Sequence, residues 1–155
     1  MVMEKLLNLG CGHNYLLGWT NLDFVGVGTA VKKWDLRKPL PFESGEFDGV
    51  YHSHVLEHLA PSDGFGFMKE CFRVLKVGGV LRVVVPDLEQ AAKMYLDSLQ
   101  TAKAGGDLDN HEWLTIELID QPSRHESGGE MKKALLKELI PNEEFVRSRV
   151  GILVD

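Results

Sequence analysis

The sequence predicts an α/β fold in which helices and loops connect the five strands of a mostly parallel sheet. In the first half of the chain, short runs rich in Val, Leu, Phe and Tyr are separated by Gly, Pro and Asp, a spacing typical of strands. The last run, in VLRVVVP, is almost continuously apolar, which is typical of a parallel strand buried on both faces. The predicted strands are Leu6–Leu9, Thr20–Phe24, Thr29–Lys33, Phe47–His52 and Val80–Val85.

Helical patterns supply the crossovers that parallel strands require. A helix is predicted from Ser62, with an apolar stripe that ends at two glycines: Phe65, Met68, Phe72 and Leu75, then Gly78-Gly79. Asp87 is a good N-cap for a second helix because Gln90 follows three residues later, at the start of an apolar face. Weaker helical patterns at Trp113–Ile119 and Met131–Leu139 predict a mostly helical second half.

Length and composition narrow the class of protein. A chain of 155 residues, 44% of them hydrophobic, is long enough to bury the core of one domain, so a single domain over residues 1–155 is expected. The formal charge of −6, with no basic cluster longer than a lysine pair, argues against nucleic acid or an anionic membrane as partner. Cys11 and Cys71 lack CxxC spacing and no secretory or membrane-spanning stretch is evident, so we expect free thiols and a cytoplasmic protein.

The stretch LLNLGCGHN sets Gly10 and Gly12 directly after the first strand, where the chain can turn sharply and approach a ligand closely. A tight turn without a ligand is the alternative. Asp23 closes the second strand and Asp35 follows the third, so in a parallel sheet both lie at the same carboxyl edge as the glycines. Carboxylates there can accept hydrogen bonds from a ribose diol or an adenine amine, although either residue can instead be a solvated turn acid.

The spacing favours a cofactor that carries adenosine without a pyrophosphate. A dinucleotide fingerprint needs a glycine where this chain has Tyr15, and an acid about 20 residues further on. Asp23 comes only 13 residues after Gly10, and the linking segment HNYLLGW has room for about two helical turns at most.

Four stretches together resemble the methyltransferase-11 type of S-adenosylmethionine-dependent methyltransferase, over roughly residues 5–90. They are LLNLGCGHN, TNLDF, WDLRKPLPFESGEFDGVYHSHVLEHL and FMKECFRVLKVGGVLRVVVPD. The resemblance implies a Rossmann-like, doubly wound sheet in the order 3-2-1-4-5, with residues 1–100 as the cofactor-binding core and residues 101–155 as a helical C-terminal segment. It also implies a set of cofactor-binding residues, namely Leu9, Gly10, Cys11, Gly12, Asp23, Phe24, Asp35, Leu36, Ser53 and His54.

Within that resemblance the two glycines lie under the methionine end of the cofactor, Asp23 binds the ribose, and Asp35 and Leu36 flank the adenine. The sequence departs from the family in two places. Asn8 stands where the family usually has an acid, and only RVGILVD remains as a plausible strand after the fifth, so the C-terminal strands are truncated or missing. We expect the C-terminal helices or a second subunit, as in a homodimer, to cover the fifth strand, since a bare edge invites pairing.

His52, His54 and His58 form an HxHxxxH array at the end of the fourth strand. A metal site is disfavoured because His58 lies beyond a turn and no further ligand but Glu57 is near, so we expect no metal. His58 is instead a candidate general base, with structural roles as the alternative for all three histidines. RHESGGEMKK, from Arg124 to Lys133, is either an acceptor-side lid or a solvated loop.

The predicted function is methyl transfer from S-adenosylmethionine, leaving S-adenosylhomocysteine, to a small-molecule or saccharide acceptor. Direct displacement needs alignment and exclusion of water more than any obligatory catalytic side chain. Two alternatives stay open: a cofactor-binding module without turnover, and a nicotinamide-dependent oxidoreductase. Because the C-terminal strands are truncated or missing, we expect the acceptor-binding part to be minimal, absent from this chain or supplied by a partner.

Overall fold

Five parallel strands form one sheet in the order β3-β2-β1-β4-β5, in a computed structural model that describes residues 4–26, 28–123 and 129–150. The strands are β1 (Leu6–Leu9), β2 (Thr20–Asp23), β3 (Lys32–Lys33), β4 (Phe47–Ser53) and β5 (Leu75–Val84). This confirms the predicted Rossmann-like α/β class and the order 3-2-1-4-5. β1 pairs with both β2 and β4, so successive strands are added to one side of β1 as far as β3 and to the other side from β4 onward. The order of the strands thus reverses at β1, where the glycine turn begins.

The centre of the sheet is its most buried part. Leu7 and Leu9 of β1 are fully buried, and Leu9 lies opposite Leu22 on β2 and His52 on β4. β5 was expected to be buried on both faces, which is wrong: Val80 is 67% exposed. β5 is the last strand of the described sheet, so it has one strand neighbour instead of two.

The only α-helix between strands in the described residues is α1 (Pro61–Val74), which connects β4 to β5. Proline suits its first turn because the N–H there has no helical partner, and Asp63 and Arg73 complement the helix dipole at its two ends. The predicted apolar stripe is wrong, since Phe65 and Phe72 are exposed. The buried residues of α1 are Gly64, Phe67, Cys71 and Val74, which together with β1, β2 and β4 form the core.

The predicted helix end at Gly78-Gly79 is also wrong, because both glycines lie inside β5. The pairing of β4 with β5 shifts register between Phe47 and Gly49. An added β-carbon at Gly79 would lie 3.0 Å from the Asp48 carbonyl oxygen. Glycine is therefore needed here for the close approach of two strands.

Loops make the other parallel connections. Residues 10–19 and 34–46 contain turns but no helix. Arg73 of α1 fastens the second of these loops by donating to the carbonyls of Phe42 at 2.9 Å and Leu40 at 3.1 Å. Glu70 pairs with Arg73 and accepts the Leu40 N–H at 2.6 Å. A partly exposed ion pair thus satisfies backbone groups of a connection that has no helix.

Residues 1–85 and 86–155 form two compact units, the first of which contains the whole sheet. The second contains α2 (Leu88–Lys103), α3 (Leu108–Ser123), α4 (Gly129–Leu135) and α5 (Glu143–Val150). As predicted, Asp87 caps α2 by accepting the Gln90 N–H at 2.9 Å. Arg149 pairs with Glu117 and so ties α5 to α3.

Part of the predicted C-terminal strand RVGILVD is helical, since Arg149 and Val150 end α5. The rest of that segment, residues 151–155, lies outside the described residues, as do residues 124–128 of the RHESGGEMKK segment. None of the helices in the described ranges combines the length and apolar character that a bilayer crossing requires.

Candidate functional site

The turn after β1 depends on two glycines in the left-handed region. Gly10 has φ +68° and Gly12 has φ +53°. An added β-carbon at Gly10 would lie 2.3 Å from Cγ2 of Val55, whereas at Gly12 it would meet nothing within 4 Å. The two glycines therefore differ: Gly10 permits close packing of the protein on itself, and Gly12 borders open space.

Asp23 joins this turn to the end of β2. Its Oδ2 accepts the Gly12 N–H at 2.8 Å and its Oδ1 accepts the Val25 N–H at 2.9 Å. The carboxylate is partly buried, and each of its oxygens keeps a second lone pair. Asp23 can thus fix the glycine turn and still accept hydrogen bonds from a ligand in the adjoining space.

A cavity of about 320 Å³ follows directly after Asp23 at the ends of β2 and β3. It is lined by Phe24, Lys33, Trp34, Asp35 and Lys38. Trp34 contributes an indole Nε1–H that is buried and has no hydrogen-bond partner in the described part of the chain. An aromatic ring, an acid and an unsatisfied donor suit a planar, polar group such as a nucleobase.

Asp35 lines this cavity with its carboxylate already engaged. Arg37 donates to both carboxylate oxygens, through Nε at 2.8 Å and Nη2 at 2.9 Å. The hydrogen bonds from the Arg37 side chain and backbone lower the pKa of Asp35 to about 2. Asp35 is therefore ionised at neutral pH, and any ligand amine that it binds shares it with Arg37.

Asn8, at the position where the resemblance led us to expect an acid, lies on the sheet and is 2% exposed. Its Nδ2 donates to Oδ1 of Asn21 at 3.1 Å. Asn21 also accepts the Leu16 N–H and donates to the carbonyls of Leu16 and Trp19. The amide of Asn8 thus serves the turn between β1 and β2.

The end of β4 brings His54 and His58 to one carboxylate. Nδ1 of His54 lies 3.1 Å from Oε1 of Glu57, and Nε2 of His58 lies 3.9 Å from the same oxygen. Glu57 stands in a 3-10 turn, Leu56–His58, directly after Val55. Since Val55 packs against Gly10, this histidine and glutamate cluster adjoins the glycine turn.

His52 does not join the cluster. It is fully buried and its ring packs edge-on against Phe67, with centroids 5.0 Å apart. Both ring nitrogens have no hydrogen-bond partner in the described chain, and burial lowers the pKa of the imidazole. The HxHxxxH array is therefore split between the core and the sheet edge, and no group of three or more metal-binding side chains is found in the described ranges.

Of the remaining predicted site residues, some lie in the core and some lie at the glycine turn. Leu9 is fully buried in the core, and Leu36 packs against it, so neither side chain lines the cavity. Cys11 is partly exposed between the glycines, where burial and the nearby Asp23 charge raise the pKa of its thiol. Ser53 ends β4, beside the glycine turn.

Sequence reasoning missed three features of this edge. Val55 was overlooked because its contact with Gly10 is formed across the sheet. Trp34 was passed over in favour of the acid that follows it, although an aromatic residue at a strand end is itself a signal. The pairing of Glu57 with His54 had a visible cue, since residues three apart meet on one side of a helical turn.

A glycine turn and two acids lie at the carboxyl edge of this parallel sheet, which is where Rossmann-like domains bind their ligands. Residues 20–83, less than half of the chain, match the family model Methyltransf_11, described as a methyltransferase domain. The match confirms the resemblance seen in the sequence. Residues 20–83 are thus similar to a methyltransferase domain of the class I type, whose cofactor is S-adenosylmethionine.

Among the solved structures similar to this chain is one from Methanococcus maripaludis, assigned as an S-adenosyl-L-methionine-dependent methyltransferase. It shares 15% sequence identity, the alignment covers 96% of this chain and 69% of that chain, and the TM-score is 0.44. No curated protein matches this chain significantly in sequence.

Proposed function

We propose that the chain binds S-adenosylmethionine at the carboxyl edge of β1, β2 and β3 and transfers its methyl group to a small-molecule or saccharide acceptor. The contact between Gly12 and Asp23 carries the proposal, because it joins open space beside a glycine turn to a carboxylate. The cavity at Phe24 begins one residue later. The net charge of −6 favours a small acceptor over nucleic acid.

Each part of the cofactor has residues of suitable chemistry. The backbone of Gly10, Cys11 and Gly12 would lie along the methionine end, and the Asp23 carboxylate would accept both ribose hydroxyls. The adenine would enter the cavity beside Phe24 and Asp35, with Leu36 behind it and the Trp34 N–H as a further donor. Ser53 and His54 would lie beside the sulfur.

When bound, S-adenosylmethionine supplies a methyl group on a positively charged sulfur that departs as a thioether. The residues of the edge have to align the acceptor with that methyl group and keep water out. A base is needed only for an acceptor that still carries its proton.

A binding module without turnover is the second candidate, and the position of Asn8 favours it. With its amide bonded to Asn21, Asn8 does not replace the acid that the family uses. Tight binding of S-adenosylmethionine together with no methyl transfer to any sugar or small metabolite would support this candidate.

Calorimetric titrations with S-adenosylhomocysteine and NAD test the proposal. Hydrogen bonds to charged groups contribute roughly 1.5–3 kcal/mol, so Asp23→Ala is expected to weaken S-adenosylhomocysteine binding about tenfold to a hundredfold. Asp23→Asn keeps the shape of the side chain and one acceptor oxygen, so its affinity for S-adenosylhomocysteine should lie between those of the wild type and Asp23→Ala. Asp97→Ala, which removes an exposed carboxylate from α2, is the matched control and should bind as the wild type does.

Equal affinity of the wild type and a folded Asp23→Ala variant would remove the ribose role. Binding of NAD with none of S-adenosylhomocysteine would establish the nicotinamide alternative instead. Circular dichroism of each variant separates a lost contact from a lost fold, which matters because Asp23 also holds the Gly12 and Val25 N–H groups.

A further inference from the structure

The backbone of His54 is held in a conformation that side chains disfavour. His54 has φ +54°, and no other non-glycine residue in the described ranges has a positive φ. Its N–H donates to the Val84 carbonyl at 3.0 Å, so β5 fixes it just beyond the end of β4. Strain of this kind persists only where surrounding contacts impose it, and it concentrates at functional sites.

The side chain of His54 is oriented by Glu57. Its Nδ1 lies 3.1 Å from Oε1 of Glu57, whose side chain is 15% exposed, while that of His54 is 50% exposed. Burial acts to raise the pKa of Glu57. The net shift is nevertheless downward, because the carboxylate accepts hydrogen bonds from His54 and from its own backbone and lies near the charges of His58 and His54.

An ionised carboxylate can only accept, so the proton of this hydrogen bond belongs to Nδ1 of His54. In the neutral imidazole the lone pair then belongs to Nε2. A carboxylate, a histidine fixed in one tautomer and a reacting group form the arrangement by which histidines act as bases in enzymes.

Register places this histidine at the glycine turn. Leu9 of β1 lies opposite His52 of β4 in the last pair of these two strands, so the glycine turn and His54 both lie just beyond that pair. Val55, the next residue, packs against Gly10. His54 therefore stands at the point where β1 and β4 part, beside the proposed methionine end of the cofactor site.

We propose that Nε2 of His54, with Glu57 as its positioning residue, accepts the proton of the methyl acceptor. This inference rests on the proposed function and replaces His58 as the candidate base. As the acceptor oxygen or nitrogen forms its bond to the methyl carbon, its proton passes to Nε2. The carbon–sulfur electron pair stays on sulfur, which becomes a neutral thioether, and the new imidazolium is stabilised by the Glu57 carboxylate.

The test needs no acceptor, because it compares two cofactor complexes of the wild-type protein. The pKa and tautomer of each histidine are measured by NMR of imidazole-15N-labelled protein, loaded with S-adenosylmethionine or with S-adenosylhomocysteine. The two ligands differ by one methyl group and one positive charge at sulfur. The pKa of His54 is expected to be about one unit lower with S-adenosylmethionine, the effect of a unit charge about 6 Å away at an effective dielectric constant near 40.

Three further readings accompany this comparison. Neutral His54 is expected to carry its proton on Nδ1, and Glu57→Gln is expected to lower the pKa of His54 in both complexes. The resonances of His111, which bonds to Ser98 between α2 and α3, are recorded in the same spectra as a reference.

The inference is overturned if both ligands bind but the pKa of His54 is the same in the two complexes, if the proton lies on Nε2, or if His58 alone responds. If neither ligand binds, the proposed function fails and the role of His54 fails with it. Heats of binding from calorimetry tell these two outcomes apart.

Discussion

Gly10→Ala is expected to lower mainly the stability of the protein, and Gly12→Ala is expected to lower mainly its affinity for the ligand. Both glycines have positive φ, so either substitution costs about 1 kcal/mol of unfolding free energy through the backbone alone. At Gly10 the new β-carbon would also lie 2.3 Å from Cγ2 of Val55, which is buried. Overpacking of this kind adds about 1–3 kcal/mol, so we expect a loss of about 2–4 kcal/mol for Gly10→Ala and about 1 kcal/mol for Gly12→Ala.

Ligand affinity is expected to fall more for Gly12→Ala than for Gly10→Ala, the reverse of the order for stability. An alanine methyl group at Gly12 enters the open space where the proposed site lies, whereas at Gly10 it meets protein. Gly12→Ala is therefore expected to weaken S-adenosylhomocysteine binding tenfold or more. Folded Gly10→Ala should lose less affinity than that, although it is the less stable variant.

Urea unfolding and calorimetry measure the two quantities on the same samples. Val55→Ala supplies the control, because it removes the atom that the Gly10→Ala methyl group would strike. The double variant is expected to be more stable than the sum of the two single losses by about 1–3 kcal/mol. Equal stability losses at both glycines, or additive losses in the double variant, would refute the packing argument. Equal effects on binding would refute the placement of the ligand.

Two further predictions concern buried groups. His52→Leu should leave stability at pH 7 equal or higher, because it removes from the core two nitrogens that have no hydrogen-bond partner among the described residues. Burial lowers the pKa of His52 in the folded state, so below pH 6.5 the unfolded chain binds a proton that the folded chain does not. The wild type should therefore lose up to about 1.4 kcal/mol of unfolding free energy per pH unit below pH 6.5, and the variant should not. Urea unfolding at pH 7 and at pH 5 measures this difference. Parallel losses in the two proteins would contradict this. Burial raises the pKa of Cys71 to about 12, so native protein at pH 8 should be labelled by a thiol reagent at Cys11 and not at Cys71, as peptide mapping can check.

The sheet was predictable because its signals are local. Leu6–Leu9 was predicted with its observed bounds, since an apolar run that stops at a glycine defines both ends of a strand. Asp23 and Asp35 were found by the rule that carboxyl ends of parallel strands share an edge. Their engagement with Gly12 and Arg37 was not predictable, since those contacts depend on the path of the loops.

The face of α1 was not predictable from periodicity. Phe65 and Phe72 lie seven residues apart and form one apolar stripe, while Phe67, Cys71 and Val74 form another. Only the second is buried against the sheet. Both stripes satisfy the helical period, so the choice between them is made by how the preceding turn sets the helix on the sheet, which is a tertiary effect.

Asparagine at position 8, where the resemblance led us to expect an acid, is understandable from the turn that it supports. No helix connects β1 to β2, and the Asn21 side chain organises that connection by bonding to Leu16 in both directions and to the Trp19 carbonyl. Both N–H bonds of the Asn21 amide are therefore used inside the turn, and only its oxygen faces Asn8. An amide at position 8 can donate to that oxygen, whereas a carboxylate would set two acceptors against each other in a position that is 2% exposed. An asparagine at position 8 thus suits a crossover without a helix better than an acid does, because it donates to the Asn21 oxygen that organises the turn.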